Sequence, residues 1–281
     1  MIMHKPELRV GRIDYLNIWP VFESIKDDPI TDDIVFVPGH PSVLNKGLAE
    51  GSLDIAPSSS FEYLANAEKY RLMPDLSISA ETEVQSVLFC LPFPFDKLER
   101  YVADGGNIRL STASAASAAL LKVLWRFYWK MPPVNWSCAG PGQSLNSGKP
   151  FLEIGDHALD IYFYPPSGLH IIDLAAEWKK FTGLPFVFAL WILKREISQD
   201  KYQIMKKLEL SLGRAVQSLP DRIDNLAYLY PEKKFRPDKI KTYWMKMNYG
   251  LEAEQLAGLT LFGRYLSELR MISGMPVLDF I

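Results

Sequence analysis

Three short polar clusters fall where strand-like segments give way to helix-like ones, and each carries groups able to hold an anion or a hydroxyl. Tyr15-Leu-Asn17 precedes Pro20. An asparagine there offers an amide donor and a carbonyl acceptor to a ligand, or bonds its own backbone in a turn. Ser58-Ser-Ser60 joins hydroxyls to the free N–H groups of a helix start, an anion site that needs no formal positive charge; a plain N-cap uses one serine of the three. Ser111-Thr-Ala-Ser-Ala-Ala-Ser117 repeats the arrangement, with Ser114 and Ser117 as hydroxyls on a helix start that small side chains leave open. Ser86 stands just before another strand-like segment. Asp156, after Gly155, either orients a ligand hydroxyl or caps the segment that follows, and capping is the preferred reading. Two serine-rich helix starts suit a small dicarboxylate, which names a ligand class and no reaction.

The elements that must position these groups alternate in the first half. Leu8–Ile13, Ile34–Pro38 and a clipped Asp54–Ala56 read as strands, with helices over 42–50 and from Pro57-Ser-Ser-Ser60 through Leu64. This is βαβα patterning, the sign of an α/β fold with parallel strands. A second series has strands at 86–92, 107–111, 134–138 and 151–154, with a helix over 114–128. The apolar run 185–193 is consistent with a buried strand. Beyond it the chain reads as helical throughout, over 200–218, 221–229, 238–246 and 251–272. No Gly/Ser linker separates domains, so joints must be crossed by strands. In α/β sheets ligands sit at the carboxyl ends of strands, where the three clusters fall.

Composition narrows the function. The 281 residues carry a formal net charge of −2, which gives no bulk attraction to nucleic acid or to an anionic membrane. The basic stretch 232–246, interleaved with Phe235, Tyr243 and Trp244, reads as a solvated helix face over a buried aromatic stripe. The opening ten residues lack an apolar core, so a secretory signal peptide is not expected, and the stretch 183–193 is far short of the roughly 20 residues that span a bilayer. A cytoplasmic location is the expectation. His4, His40, His157 and His170 are scattered, and Cys90 and Cys138 form no Cys-x-x-Cys pair, so neither a metal nor another cofactor is expected.

Taken in order, Gly11-Arg-Ile-Asp-Tyr-Leu-Asn-Ile-Trp-Pro20, Pro41-Ser-Val-Leu-Asn45, Asp54-Ile-Ala-Pro-Ser-Ser-Ser-Phe-Glu-Tyr63, Gly155-Asp-His-Ala-Leu159, Gly183-Leu-Pro-Phe-Val-Phe-Ala189 and Tyr249-Gly-Leu-Glu…Ala257-Gly-Leu259 resemble the menaquinone-biosynthesis family of the futalosine pathway, in the branch that dehydrates chorismate. The resemblance implies a two-lobed, periplasmic-binding-protein-like (type II) α/β fold with a ligand cleft between lobes. Lobe one would be 1–89 plus 190–281 and lobe two 90–189, joined by crossings near 88–92 and 187–192. The implied reaction removes water from chorismate, a small-molecule substrate, giving 3-[(1-carboxyvinyl)oxy]benzoate, with no nucleic-acid or membrane partner. A monomer and a homodimer both remain open.

With no His–carboxylate pair evident as a base, substrate assistance is the expected mechanism: the enolpyruvyl carboxylate of chorismate accepts the ring proton. Asn17 and Ser86 would hold the ring carboxylate or the departing oxygen, with Tyr15 and Asp156 also at the substrate. Ser59, Ser60, Ser114 and Ser117 would hold a carboxylate. The chain departs from the family pattern at Ala116, where a hydroxyl residue is common, and at Cys90, where serine is; the latter reads as packing. The rival readings are the sister branch, which makes 1,4-dihydroxy-6-naphthoate and uses a histidine base, and a carboxylate-binding protein or sensor without chemistry.

Overall fold

A computed structural model describes residues 7–232 and 234–281; His4 and the first part of the opening segment lie outside them. The strands are β1 (Leu8–Arg12), β2 (Ile34–Pro38), β3 (Ile55–Ser59), β4 (Tyr70–Ala80), β5 (Val87–Leu91), β6 (Asn107–Ser111), β7 (Asn135–Ala139), β8 (Phe151–Ile154), β9 (His170–Asp173), β10 (Phe186–Lys194) and β11 (Met247–Gly250). The helices are α1 (Trp19–Ile25), α2 (Pro41–Ala49), α3 (Ser60–Ala65), α4 (Leu98–Ala103), α5 (Ala115–Val123), α6 (Gly155–Phe163), α7 (Leu174–Thr182), α8 (Gln199–Leu229), α9 (Pro237–Trp244) and α10 (Ala253–Glu268). The strands form two sheets, in the order β11-β4-β10-β3-β1-β2 and β7-β6-β8-β5-β9. The α/β class expected from the alternation is therefore present.

The chain divides into two compact units, one of Met1–Ile78, Ala189–Glu252 and Pro276–Ile281, the other of Ser79–Phe188 and Ala253–Met275. This differs from a first lobe of 1–89 plus 190–281. β5 joins the second unit whole, because all five of its residues are buried in that unit's sheet. α10 also joins it. Trp178 of α7 packs edge-on to Phe186 and Phe262 at 5.5 and 6.1 Å and to Tyr265 at 6.2 Å. Gly258 lets α10 approach: a Cβ there would lie 2.2 Å from the Pro185 carbonyl oxygen, which already accepts the Trp178 indole N–H at 3.1 Å.

Three local expectations are corrected. β3 is not clipped at Ala56 but runs to Ser59, because β10 pairs with it from Ile55 to Ser59. The segments 200–218 and 221–229 are one helix, α8. Proline disfavours a helix interior, yet the buried stripe Ile204, Leu208, Leu212, Ala215, Leu219, Leu226 keeps helical register across Pro220. And the last third is not wholly helical, since Met247–Gly250 forms β11.

In the first unit the aromatic stripe expected of 232–246 is buried, with Tyr243 and Trp244 on α9 and Phe235 just before it. In the second, Cys90 lies in a core with Leu88, Phe151, Ala158 and Ile161, and burial pushes its thiol far up, so it packs as an inert apolar group. Among the described residues no helix is long and apolar enough to cross a membrane, and no group of three or more His, Cys, Asp or Glu could hold a metal ion.

Candidate functional site

In the first unit β1 runs parallel to both β2 and β3, so their carboxyl ends share one sheet edge. The loop after β1 is braced there from several sides. Ile18 and Trp19 donate their N–H groups to the Tyr15 carbonyl at 3.2 and 3.1 Å. The Trp244 indole donates to the Leu16 carbonyl at 2.7 Å, and the Tyr249 hydroxyl donates to the Asn17 carbonyl at 2.6 Å. Trp244 stacks in turn on Trp19, with centroids 5.7 Å apart and planes 5° from parallel. The Asn17 backbone is thus fixed while its side chain is not: Oδ1 is buried with no partner. A buried carbonyl left unpaired costs about 1–3 kcal/mol, so a ligand group that met it would recover that cost.

Tyr15 faces His40 across 6.4 Å and, with Asp14, Pro38 and Gly39, lines a cavity of about 300 Å³ beside the same edge. Ser58 is spent internally, donating to Asn45 Oδ1, with Asn45 bonded onward to Glu62. Ser59 ends β3 in the N-cap position of α3 without a side-chain capping bond, and Ser60 opens α3 fully buried. The plain-cap reading of these serines does not hold. Tyr249→Phe is expected to leave the Asn17 carbonyl unpaired, lowering stability by about 1–3 kcal/mol and, by loosening the loop, turnover as well. Burial holds the Tyr249 phenol well above its usual pKa, so it stays a donor at any ordinary pH. Parallel thermal melts and turnover assays check this; an unchanged melt would show that the bond does not brace the loop.

In the second unit β6 is parallel to β7 and β8, while β5 is antiparallel to β8 and β9. The carboxyl ends of β6, β7, β8 and β9 therefore share an edge with the amino end of β5. Ser114 caps α5, its Oγ accepting the Ser117 N–H at 3.2 Å and lying 2.9 Å from Ser117 Oγ. Two hydroxyls that share one hydrogen bond keep one proton to donate elsewhere. Ser86 is buried at the start of β5, and its carbonyl accepts the Gly155 N–H at 2.8 Å. Gly155 takes φ +64, which suits glycine and lets α6 begin directly off β8. Asp156 is corrected: it does not cap α6, whose N-cap is Ile154, but lies in the first turn, where its charge complements the helix dipole.

Two carboxylates that the sequence does not single out shape this edge. Glu153 of β8 is 1% exposed and accepts the Gly142 N–H at 2.9 Å and the Ile154 N–H at 3.2 Å, tying down the loop after β7. Burial raises its pKa, opposed by those N–H groups and by His157. Asp173 caps α7 through Ala175 and Ala176 and reaches back to the N–H groups of Val84 and Gln85. Burial pushes its carboxyl up to about 6 against the pull of the four N–H donors. Gln85 itself is buried at φ +61, with Oε1 unpartnered. No pattern in the sequence marks these residues: Asp173 reaches Val84 and Gln85 far back in the chain, and Glu153 reaches Gly142 across a loop.

The eight residues singled out by sequence thus fall into two sets. Tyr15, Asn17, Ser59 and Ser60 share the edge of one sheet, and Ser86, Ser114, Ser117 and Asp156 share the edge of the other.

A family model described as menaquinone biosynthesis matches residues 8–268. The chorismate dehydratase of Campylobacter jejuni subsp. jejuni is 33% identical over 201 residues, covering 70% of this chain and 72% of that protein. The chorismate dehydratase of Thermus thermophilus is 28% identical over 243 residues, covering 80% and 84%. Among solved structures, the Candida albicans CA3427 gene product, described as having the generic periplasmic binding protein fold, aligns with a TM-score of 0.65 at 13% identity over 98% of each chain. At that identity the likeness speaks for the fold alone.

Proposed function

The chain belongs to the menaquinone biosynthesis family, and from that premise we propose that it dehydrates chorismate to 3-[(1-carboxyvinyl)oxy]benzoate. The observation that carries the reading to particular residues is the half-buried Asn17 side chain, on a braced loop at a sheet's ligand edge with its Oδ1 buried and unpartnered.

In the elimination, the C–H bond at the ring carbon bearing the ether breaks, its electron pair forms the new ring double bond, and the hydroxyl on the adjacent carbon departs. The proton passes to the enolpyruvyl carboxylate of the substrate, which reaches that C–H through a six-membered array, and then leaves with the hydroxyl as water. Aromatisation drives the step, so the work of the protein is orientation and stabilisation of developing charge. Among the described residues no protein group fixes the Asn17 amide, which can therefore turn to present its NH₂ or its carbonyl. Asn17 and Ser86 hold the ring carboxylate or the departing oxygen. Ser59, Ser60, Ser114 and Ser117 hold a carboxylate through hydroxyls and helix N–H groups, while Tyr15 and Asp156 complete the surroundings. Substrate and product are both small polar metabolites, which suits a cytoplasmic enzyme.

Incubating the purified, metal-stripped protein with chorismate tests the reading, with products followed by chromatography and mass spectrometry. A product lighter than chorismate by one water is expected. Bound but intact chorismate would instead mark a carboxylate-binding protein, and absence of binding would turn attention to the later naphthoate-forming step.

A further inference from the structure

The turn that leads into β5 is held in a backbone conformation that side-chain-bearing residues seldom adopt, and it is held firmly. Gln85 has φ +61. The N–H groups of Val84 and Gln85 both donate to Asp173 Oδ2, at 3.0 and 2.6 Å, while Asp173 Oδ1 accepts from Ala175 and Ala176 at 2.9 and 3.1 Å. The residue before Ser86 is thereby pinned to the start of α7. Strained conformations persist where the surroundings over-determine them, and they cluster at ligand sites.

The Gln85 side chain is 3% exposed. Its Nε2 donates to Glu83 Oε1 at 3.3 Å, and Glu83 Oε2 accepts the Tyr162 hydroxyl at 3.2 Å. Oε1 has no partner. Glu83 decides which way the amide faces: turned over, Gln85 would set its carbonyl against a carboxylate, acceptor to acceptor. Gln85 therefore offers Oε1 as an acceptor, next to Ser86 and on the edge shared by Ser114, Ser117 and Asp156.

We propose that Gln85 Oε1 accepts the hydroxyl proton of the substrate and makes Gln85 the residue that separates chorismate from its own dehydrated product. The proposal rests on the reaction assigned above. Chorismate carries two carboxylates and an ether, all acceptors, and a single hydroxyl as its only donor, so a buried carbonyl held with its acceptor unpaired has one partner on that molecule. The product keeps both carboxylates and has lost the hydroxyl. Bound in the same place it leaves Oε1 unpaired, which weakens its hold and favours release. While the substrate is bound, the same bond points the hydroxyl lone pairs away from Gln85, toward the proton that the departing oxygen must collect.

Gln85→Met removes the acceptor at similar volume. The expected result is a KM for chorismate raised about tenfold or more, a smaller change in kcat, and an inhibition constant for the benzoate product within about twofold of the wild type. An unchanged KM, as a carbonyl satisfied by ordered water would give, overturns the proposal; so does equal weakening of substrate and product. Should that variant not fold, Glu83→Gln tests the point from a half-exposed position. A glutamine there can donate or accept, so the Gln85 amide is free to turn over. Substrate affinity should then fall relative to product affinity, and an unaltered ratio overturns the proposal. Wild-type conversion of chorismate is measured alongside. Its absence would refute the reaction itself, whereas normal conversion with an unaltered ratio in the variants refutes only the role of Gln85.

Discussion

Asn17→Ala is expected to lower kcat/KM for chorismate by about 10²–10³-fold, the usual cost of removing one polar group that meets charge developing in a transition state. Stability should hardly change. The Asn17 amide has no partner among the described residues, so its loss leaves no donor or acceptor stranded and removes a buried, unpaired carbonyl. The contacts that hold the loop come from the backbone, through Tyr249 to the Asn17 carbonyl and Trp244 to the Leu16 carbonyl, and alanine keeps both. Activity and stability should therefore separate, which is the signature of a group kept for a ligand rather than for the fold. A wild-type rate in the variant would remove Asn17 from the site. A fall in melting temperature matching the fall in rate would recast it as structural. The contrast with Tyr249→Phe is informative, since that change should lower both together.

How far the sequence reaches is seen in particular elements. β2, β6 and β8 have the bounds that short apolar runs between turn residues suggest, and the polar clusters lie at the carboxyl ends of β1, β3, β6 and β8. β4 is not visible in the sequence, because Pro74-Asp75 in its middle reads as turn punctuation. In the structure Asp75 is exposed at φ +59 and the strand continues past it, with the Asp75 carbonyl accepting the Leu251 N–H at 3.2 Å. β11 is hidden for a related reason: four residues between two helices show no period, and it is a strand because it lies beside β4. Among site residues, hydroxyls and amides at strand ends are legible by type and place. Gln85 is not. Its strain and its unpaired oxygen depend on Asp173, 88 residues further along the chain, and on Glu83 fixing the amide. Local sequence announces groups that act alone and conceals those that act through distant partners.

Asp54→Ala tests the scaffold, with an expected loss of about 3–5 kcal/mol at pH 7. The side chain is 1% exposed and binds three elements of the first unit. Oδ2 accepts the Arg9 N–H of β1 at 2.9 Å and the Lys201 ammonium at the start of α8 at 2.6 Å, while Oδ1 meets the Lys194 ammonium at the end of β10 at 2.5 Å. Removing the carboxylate strands an N–H and sets two cations beside each other without their counter-ion. Stranding one side of a buried ion pair costs more than replacing the whole group, and for that reason the alanine variant should suffer heavily. The pH dependence follows from the shift. Burial by itself would raise the Asp54 pKa, but the hydrogen bonds from Lys194, Lys201 and the Arg9 N–H outweigh it and hold the pKa below the ordinary 3.8. The folded state thus binds the proton less readily than the unfolded chain, so the stabilisation is fully present above pH 3.8 and lost as pH falls through the lower folded value. Urea unfolding should show a lower midpoint with an unchanged slope at pH 7, and the gap to the wild type should close on acidification below 3.8. A gap that persisted undiminished in acid would mean that the variant suffers from lost packing, not from lost charge, and that the two lysines find other partners once Asp54 is gone.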